Sequence, residues 1–253
     1  MLKLIQCEIW KIKRMRFIWL ALGLAILFPL VLTAYVYNRG SNFTLLSRFT
    51  FLYGDLLFKP CILGIFGVML LAVESDNGTF KNLNVIPVSR VKLFYAKLFV
   101  LLMFSVFYSG AQCLATLGGG ILLGDVNEIP IYLYSNLMIS ILLFLDVLPI
   151  TLLFCIFNQN KVFCVISSLF YAIAGFLLVN SYANGMSVSN PIVSILPRVV
   201  VFRWFLQVFS LGQGASGEVI PTISTSSALV TLLGIGAILT AVASLLYGRK
   251  EAN

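Results

Sequence analysis

The chain has no histidine, and only 10% of its 253 residues carry a formal charge. Without histidine there is no side chain that titrates near neutral pH, and the commonest metal ligand is missing. No Ser–His–Asp set and no His-Glu-x-x-His zinc motif can be assembled. A charged fraction of 10% is under half of the roughly 25% usual for soluble domains, so little chain is left to face water. The five cysteines (Cys7, Cys61, Cys113, Cys155 and Cys164) are odd in number and scattered. They show neither a disulfide framework nor metal-ligand spacing. Also missing is any Gly-x4-Gly-Lys-Ser/Thr run. The glycine-rich "GQGASG" at 212–217 has no lysine and makes no phosphate cradle, so the chain cannot hydrolyse ATP by that route.

What is present is apolar: 60% of the residues are hydrophobic. A bilayer core of about 30 Å takes ~20 such residues in a helix. Six runs qualify, at 17–37, 56–73, 98–123, 131–157, 162–179 and 226–247. The first exceeds the ~7–15 apolar residues of a signal peptide and no clear cleavage site follows it, so it reads as a retained span. The expected architecture is an all-α polytopic membrane protein, one transmembrane domain over 1–253. The net charge of +8 lies beside the apolar runs, which speaks for a membrane surface and against nucleic acid. With the N-terminus inside, only Arg39, Arg48, Lys59, Arg198 and Arg203 of the 17 Lys and Arg residues fall outside. That asymmetry predicts that both termini are cytoplasmic.

Residues 1–16 space Leu2, Ile5, Ile9 and Ile12 at helical intervals with basic residues between them. The pattern fits an amphipathic helix lying at the inner headgroups, or a plain positively charged anchor. Residues 190–212 contain Pro197, Arg198 and Arg203 inside an apolar stretch. Two arginines in mid-helix cost roughly 2.5–3.5 kcal/mol each. The segment therefore reads as a partly inserted interfacial helix on the outer side, with Arg198, Arg203, Gln207 and Ser210 on one broad polar face, rather than as a seventh span. No internal repeat is visible.

Two polar features interrupt the apolar pattern. The first is "AVESDNGTFKNLNVIPVSR" at 72–90, between spans two and three. Glu74, Ser75 and Asp76 suit a helix N-terminus, Phe80 and Leu83 share one side of a short helix, and Pro87 turns the chain. Such a helix fits a groove on a partner; the same residues also suit an ordinary solvated loop. The second feature is Asp146, deep in span four, where a carboxylate must face protein or water. Gln112, or backbone freed by Pro149, would be its partner. Asp146 is then part of a polar path or subunit contact, or a hydrogen-bonded structural acid.

The order Glu74, Gly78, Thr79, Leu83, Pro87, Ser89, Arg90 and Lys97, with six spans and a basic amphipathic start, resembles the permeases of ABC-2-type transporters. Chain size and the lack of a fused ATPase are similar to the permeases of lantibiotic immunity and antimicrobial-peptide resistance. The resemblance implies that Glu74, Ser75, Asp76, Asn77, Gly78, Thr79, Phe80, Lys81, Leu83, Pro87 and Arg90 form a cytoplasmic coupling helix gripping an ATPase. It implies a separate ATP-binding subunit in two copies, carrying ATP and Mg, and a second permease in a homo- or heterodimer. The substrate would be an amphipathic peptide expelled from a bacterial plasma membrane, met by the outer segment with Arg198, Arg203 and Trp204. Two other classes remain open on the residues alone: an ion-coupled secondary transporter using Asp146, and a membrane anchor or sensor recruiting a partner through 74–97.

Overall fold

The computed structural model describes residues 2–13, 15–40, 42–76, 90–124, 126, 129–156, 160–185, 190–209 and 220–249. Among these, all regular structure is helical. An N-terminal helix, α1 (Leu2–Lys13), ends in Lys11 and Lys13, which favour a helix C-terminus. Met15 then adopts extended backbone and turns the chain into α2 (Arg16–Asn38), the first span. Its 23 residues reach about 35 Å at ~1.5 Å each, enough to cross a bilayer core.

The second span starts earlier than its apolar run. It opens with α3 (Phe43–Phe49), widens into a π-helical segment over Thr50–Phe58, and continues as α4 (Lys59–Asp76). Pro60 explains the widening. It has no N–H to offer the carbonyl of Leu56 four residues back. The ladder shifts register, with the Lys59 N–H donating to Gly54 O, five residues back. Such segments are rare and concentrate where a helix must present unusual groups.

The remaining spans are α5 (Arg90–Leu123), α6 (Ile129–Ile156), α7 (Lys161–Ala183) and α10 (Thr225–Arg249). Between the last two lie the short helices α8 (Pro191–Ile195) and α9 (Pro197–Val208). Among the described residues six helices are long and apolar enough to cross a membrane. An even number of crossings brings both ends of the chain to one face; the opposite face is here termed distal.

Burial divides the spans into two groups. Of the most apolar stretch of spans two, three and four, 67%, 56% and 71% is buried, against 22% for spans one, five and six. The middle spans therefore form the core and the others carry the lipid-facing surface. Leu63, Phe66, Leu142 and Leu143 are fully buried at the centre, and Phe66 packs on Phe104 with ring centroids 4.3 Å apart. Small residues of span three set its approach to spans one and two. A side chain at Gly119 would run into Thr33, and one at Gly120 into Phe43. Lipid tails are as apolar as the spans themselves, so such close backbone contact is a principal source of cohesion.

The segment 190–209 departs from the expected interfacial helix. It is broken at Leu196, whose extended backbone (φ −56°, ψ 135°) precedes Pro197. It does not lie flat. Arg198, Val199, Val200, Val201, Phe202, Trp204, Phe205 and Leu206 of α9 are buried, and the Phe205 ring stacks on Phe51 at 3.6 Å. α9 is thus wedged into the core between the fifth and sixth spans.

Candidate functional site

The loop between spans two and three rests on a braced foot. Glu74, Ser75 and Asp76 are helical and lie in the last described turn of α4; the helix they were expected to cap falls outside the described residues. Asn77, Gly78, Thr79, Phe80, Lys81, Leu83 and Pro87 lie outside the described residues, and Arg90 is the first residue of α5. Two turns into α5, Lys97 is 3% exposed and donates to the carbonyl of Leu70 on α4. Its ammonium also lies 3.5 Å from Glu8 of α1. Glu8, equally buried, accepts from Lys11 at 2.6 Å. Helix α1, α4 and α5 are therefore tied together just where the loop leaves and re-enters the bundle. A buried pair of this kind depends on both partners, because either charge alone would be stranded.

Asp146 does not meet Gln112. Its partner is Arg198, from 52 residues further along the chain. The Arg198 Nε donates to Asp146 Oδ2 at 2.7 Å, with Nη2 at the same distance from that oxygen. Tyr171 donates its hydroxyl to the Asp146 carbonyl at 2.6 Å and lies 3.2 Å from Oδ1. Arg198 Nη1 donates to the carbonyl of Leu56, the group that Pro60 deprives of its α-helical partner. One guanidinium thus neutralises the acid of span four and bonds a span-two carbonyl that has no α-helical partner. Asp146 is fully buried and Arg198 is 3% exposed, which isolated charges in an apolar bundle could not sustain. Gly175 of α7 leaves room for this: a Cβ there would stand 3.2 Å from Arg198 Cζ.

Asp146 lies about 15 Å of helix from the Ile156 end of α6, and Tyr171 about 15 Å from the Lys161 end of α7. Both ends are on the face of the termini, so the pair sits near mid-bundle. Arg198 reaches that depth from the distal face. The segment α8–α9 accordingly dips into the bundle and returns, further in than the partly inserted interfacial placement expected for it. The physical reason is the charge pair: Arg198 is drawn inward by Asp146, a partner that a local reading of the sequence does not reveal.

The same burial redirects the outer segment. Trp204 is fully buried and donates through Nε1 to Thr225 Oγ1 at 3.0 Å. Arg203 donates to the carbonyls of Pro221 (2.7 Å) and Ser194 (3.1 Å). Arg198, Arg203 and Trp204 are therefore engaged with the protein itself. The large apolar residues this segment leaves exposed are Ile192 at 74% and Ile195 at 54%, alongside the exposed polar side chains of Asn190 and Gln207.

A second polar cluster escaped the sequence reading. Lys59, assigned there to the outside, is fully buried and donates to Ser109 of α5. Asp55 of the π-helical segment is 3% exposed, with Oδ1 4.0 Å from the Lys59 ammonium. Gln112 lies alongside, with its amide nitrogen 2.9 Å from where a Cβ on Gly54 would be. Among the described residues Asp55 Oδ1 and both polar atoms of the Gln112 amide make no hydrogen bond. The available signal was the polar stripe Ser105, Ser109, Gln112 and Thr116 on one face of span three, all buried. Its i, i+4, i+7 spacing is the periodicity of a single helix face. Among the described residues no group of His, Cys, Asp or Glu could hold a metal.

Six apolar spans among the described residues and a core held by paired charges define a polytopic helical membrane protein. Within that class the chain belongs to the ABC-2 family of transporter proteins: residues 4–175, more than half of its length, match the family described as "ABC-2 family transporter protein". No curated protein and no solved structure matches the chain. Membership makes it a transporter permease subunit, a membrane component rather than a catalytic one, and implies an ATP-binding partner.

Proposed function

We propose that this permease expels amphipathic antimicrobial peptides of the lantibiotic type from a bacterial plasma membrane. Two copies of a separate ATP-binding subunit, which carry the ATP and Mg, drive it, and a second permease, identical or related, completes the transporter. The loop from Glu74 through Asn77, Gly78, Thr79, Phe80, Lys81, Leu83 and Pro87 to Arg90 is the grip for the ATPase. Both termini then face the cytoplasm, the side on which that ATPase works.

The observation that carries this reading is the family match combined with the foot of the loop. Lys97 links the Leu70 carbonyl and Glu8, so a push on the loop acts on α1, α4 and α5 together instead of being lost in a loose connection. The lantibiotic assignment rests on resemblance in chain size and organisation. The test is co-purification. Phe80→Asp and Gly78→Pro should release the ATPase while the permease still accumulates in the membrane. An ATPase retained by both variants, or no ATPase at all with the wild type, overturns the coupling assignment. Exchange of residues 190–220 for the equivalent segment of an unrelated permease should alter peptide tolerance, and unchanged tolerance overturns the substrate assignment. An ion-coupled mechanism would need the Asp146 carboxylate free to take up its ion, and Arg198 occupies that group.

A further inference from the structure

Between α7, α8, α9 and α10 lies a cavity of about 530 Å³, a size typical of ligand sites. Ala174, Gly175 and Leu178 of α7 form one wall, Ile192 and Ile195 of α8 the facing wall, and Ile235 of α10 the side. Pro149, Tyr171 and Arg198 form the floor. We propose that this cavity holds the end of one acyl chain of a membrane phospholipid, inserted from the distal leaflet.

The floor decides the chemistry. Tyr171 and Arg198 are polar, but their polar atoms are held by partners in the bundle core. The Tyr171 hydroxyl is spent on Asp146, and the guanidinium on Asp146 and Leu56. The guanidinium carbon lies 5.5 Å from the Tyr171 ring centroid, so the two side chains also pack on each other. A peptide entering here would bury amides with nothing to bond. Water needs two to four polar partners and finds none, and apolar cavities stay dry. An acyl chain brings no polar group at all.

The opening and the depth agree with that occupant. The rim residues Leu178, Ile192 and Ile195 are 40%, 74% and 54% exposed, and they continue the lipid-facing surface of spans five and six. From Tyr171 to Leu178 the cavity follows α7 for about 10 Å, from mid-bundle toward the distal face. Chain ends of the distal leaflet occupy that depth. Leaving the space empty would forfeit packing in proportion to its volume. A chain seated there also backs the dipping segment that brings Arg198 to Asp146, so the lipid acts as a structural part of the permease.

The test uses the full-length permease in vesicles of a phospholipid carrying a diazirine at mid-chain. After photolysis, adducts are mapped by mass spectrometry. Ala174, Leu178 and Ile195 should be labelled severalfold more than Leu114, a 74% exposed residue of span three that does not line this cavity. Ala174→Phe and Ile235→Phe, which fill the cavity from two different helices, should each remove the excess and leave Leu114 labelling unchanged. Labelling no higher than at Leu114, or an excess that survives both variants, overturns the proposal. So does an excess abolished by added cationic amphipathic peptide, which assigns the cavity to substrate. Loss of the excess when Ile192→Cys chains are cross-linked into dimers assigns it to a second copy. No ATPase enters the experiment, so these outcomes are independent of the transport assignment.

Discussion

Replacing Arg198 by methionine tests the central claim about the core. The substitution keeps much of the stem's volume and removes the guanidinium. Asp146, fully buried, then keeps only Tyr171, and the Leu56 carbonyl loses its donor. Removing one partner of a buried ion pair costs about 3–5 kcal/mol, and the stranded carbonyl adds about 1–3 kcal/mol. The expected loss is therefore of the order of 4 kcal/mol or more, most of a typical stability of about 5–15 kcal/mol. Asp146→Leu should cost a similar amount by stranding the cation. The double variant should be far less damaged than the sum, because a buried pair replaced by apolar groups of similar volume is often neutral or better. The assay is equilibrium unfolding of the purified permease in mixed micelles by added SDS, run as a double-mutant cycle. Single effects below about 1 kcal/mol, the range of exposed pairs, or additive effects within about 0.5 kcal/mol, would refute the reasoning.

Other consequences follow from close packing and from the loop's foot. Gly175→Ala should destabilise the fold by about 1–3 kcal/mol, because the new Cβ meets a guanidinium pinned by Asp146 and Leu56; in the Arg198→Met background the same change should be nearly silent in the SDS assay. At Gly64 an added Cβ would stand 2.7 Å from the Ser168 Cβ, so Gly64→Ala should cost a similar ~1–3 kcal/mol and Ser168→Gly should restore most of it. Glu8→Gln removes the charge facing Lys97 across 3.5 Å; it should loosen α1, speed protease cleavage near Met15 and lower the resistance to SDS unfolding.

How much of this was legible can be argued span by span. The six spans could be read from the chain because each is a long apolar run with little charge, and a bilayer leaves a spanning chain little choice but a helix or a closed barrel. The early start of span two was not legible. Asp55 and Lys59 interrupt its apolar run, and only their mutual burial beside Ser109 shows that they lie inside the bundle. Asp146 stood out as an acid in the wrong solvent, but the nearest plausible partner on another span, Gln112, was the wrong choice. Arg198 was visible too, as an arginine in an apolar stretch, and was read as facing outward because nothing local marks it as half of a pair. The foot of the loop was half legible: Lys97 was seen as the residue opening span three, while its partner Glu8 was hidden in a helix expected to lie against headgroups.

Composition and periodicity by themselves determined the solvent, the number of crossings, the absence of nucleotide-binding and histidine chemistry, and the amphipathic start. Those properties depend on how many apolar residues follow one another and on which residue types never occur, and both are local. Tertiary structure alone decided which charges meet: Asp146 with Arg198, Lys59 with Ser109 and Asp55, Lys97 with Glu8. A charge inside a membrane announces its need for a partner through its cost of desolvation. The partner's identity is set by which helix faces come together, and no stretch of sequence contains that information.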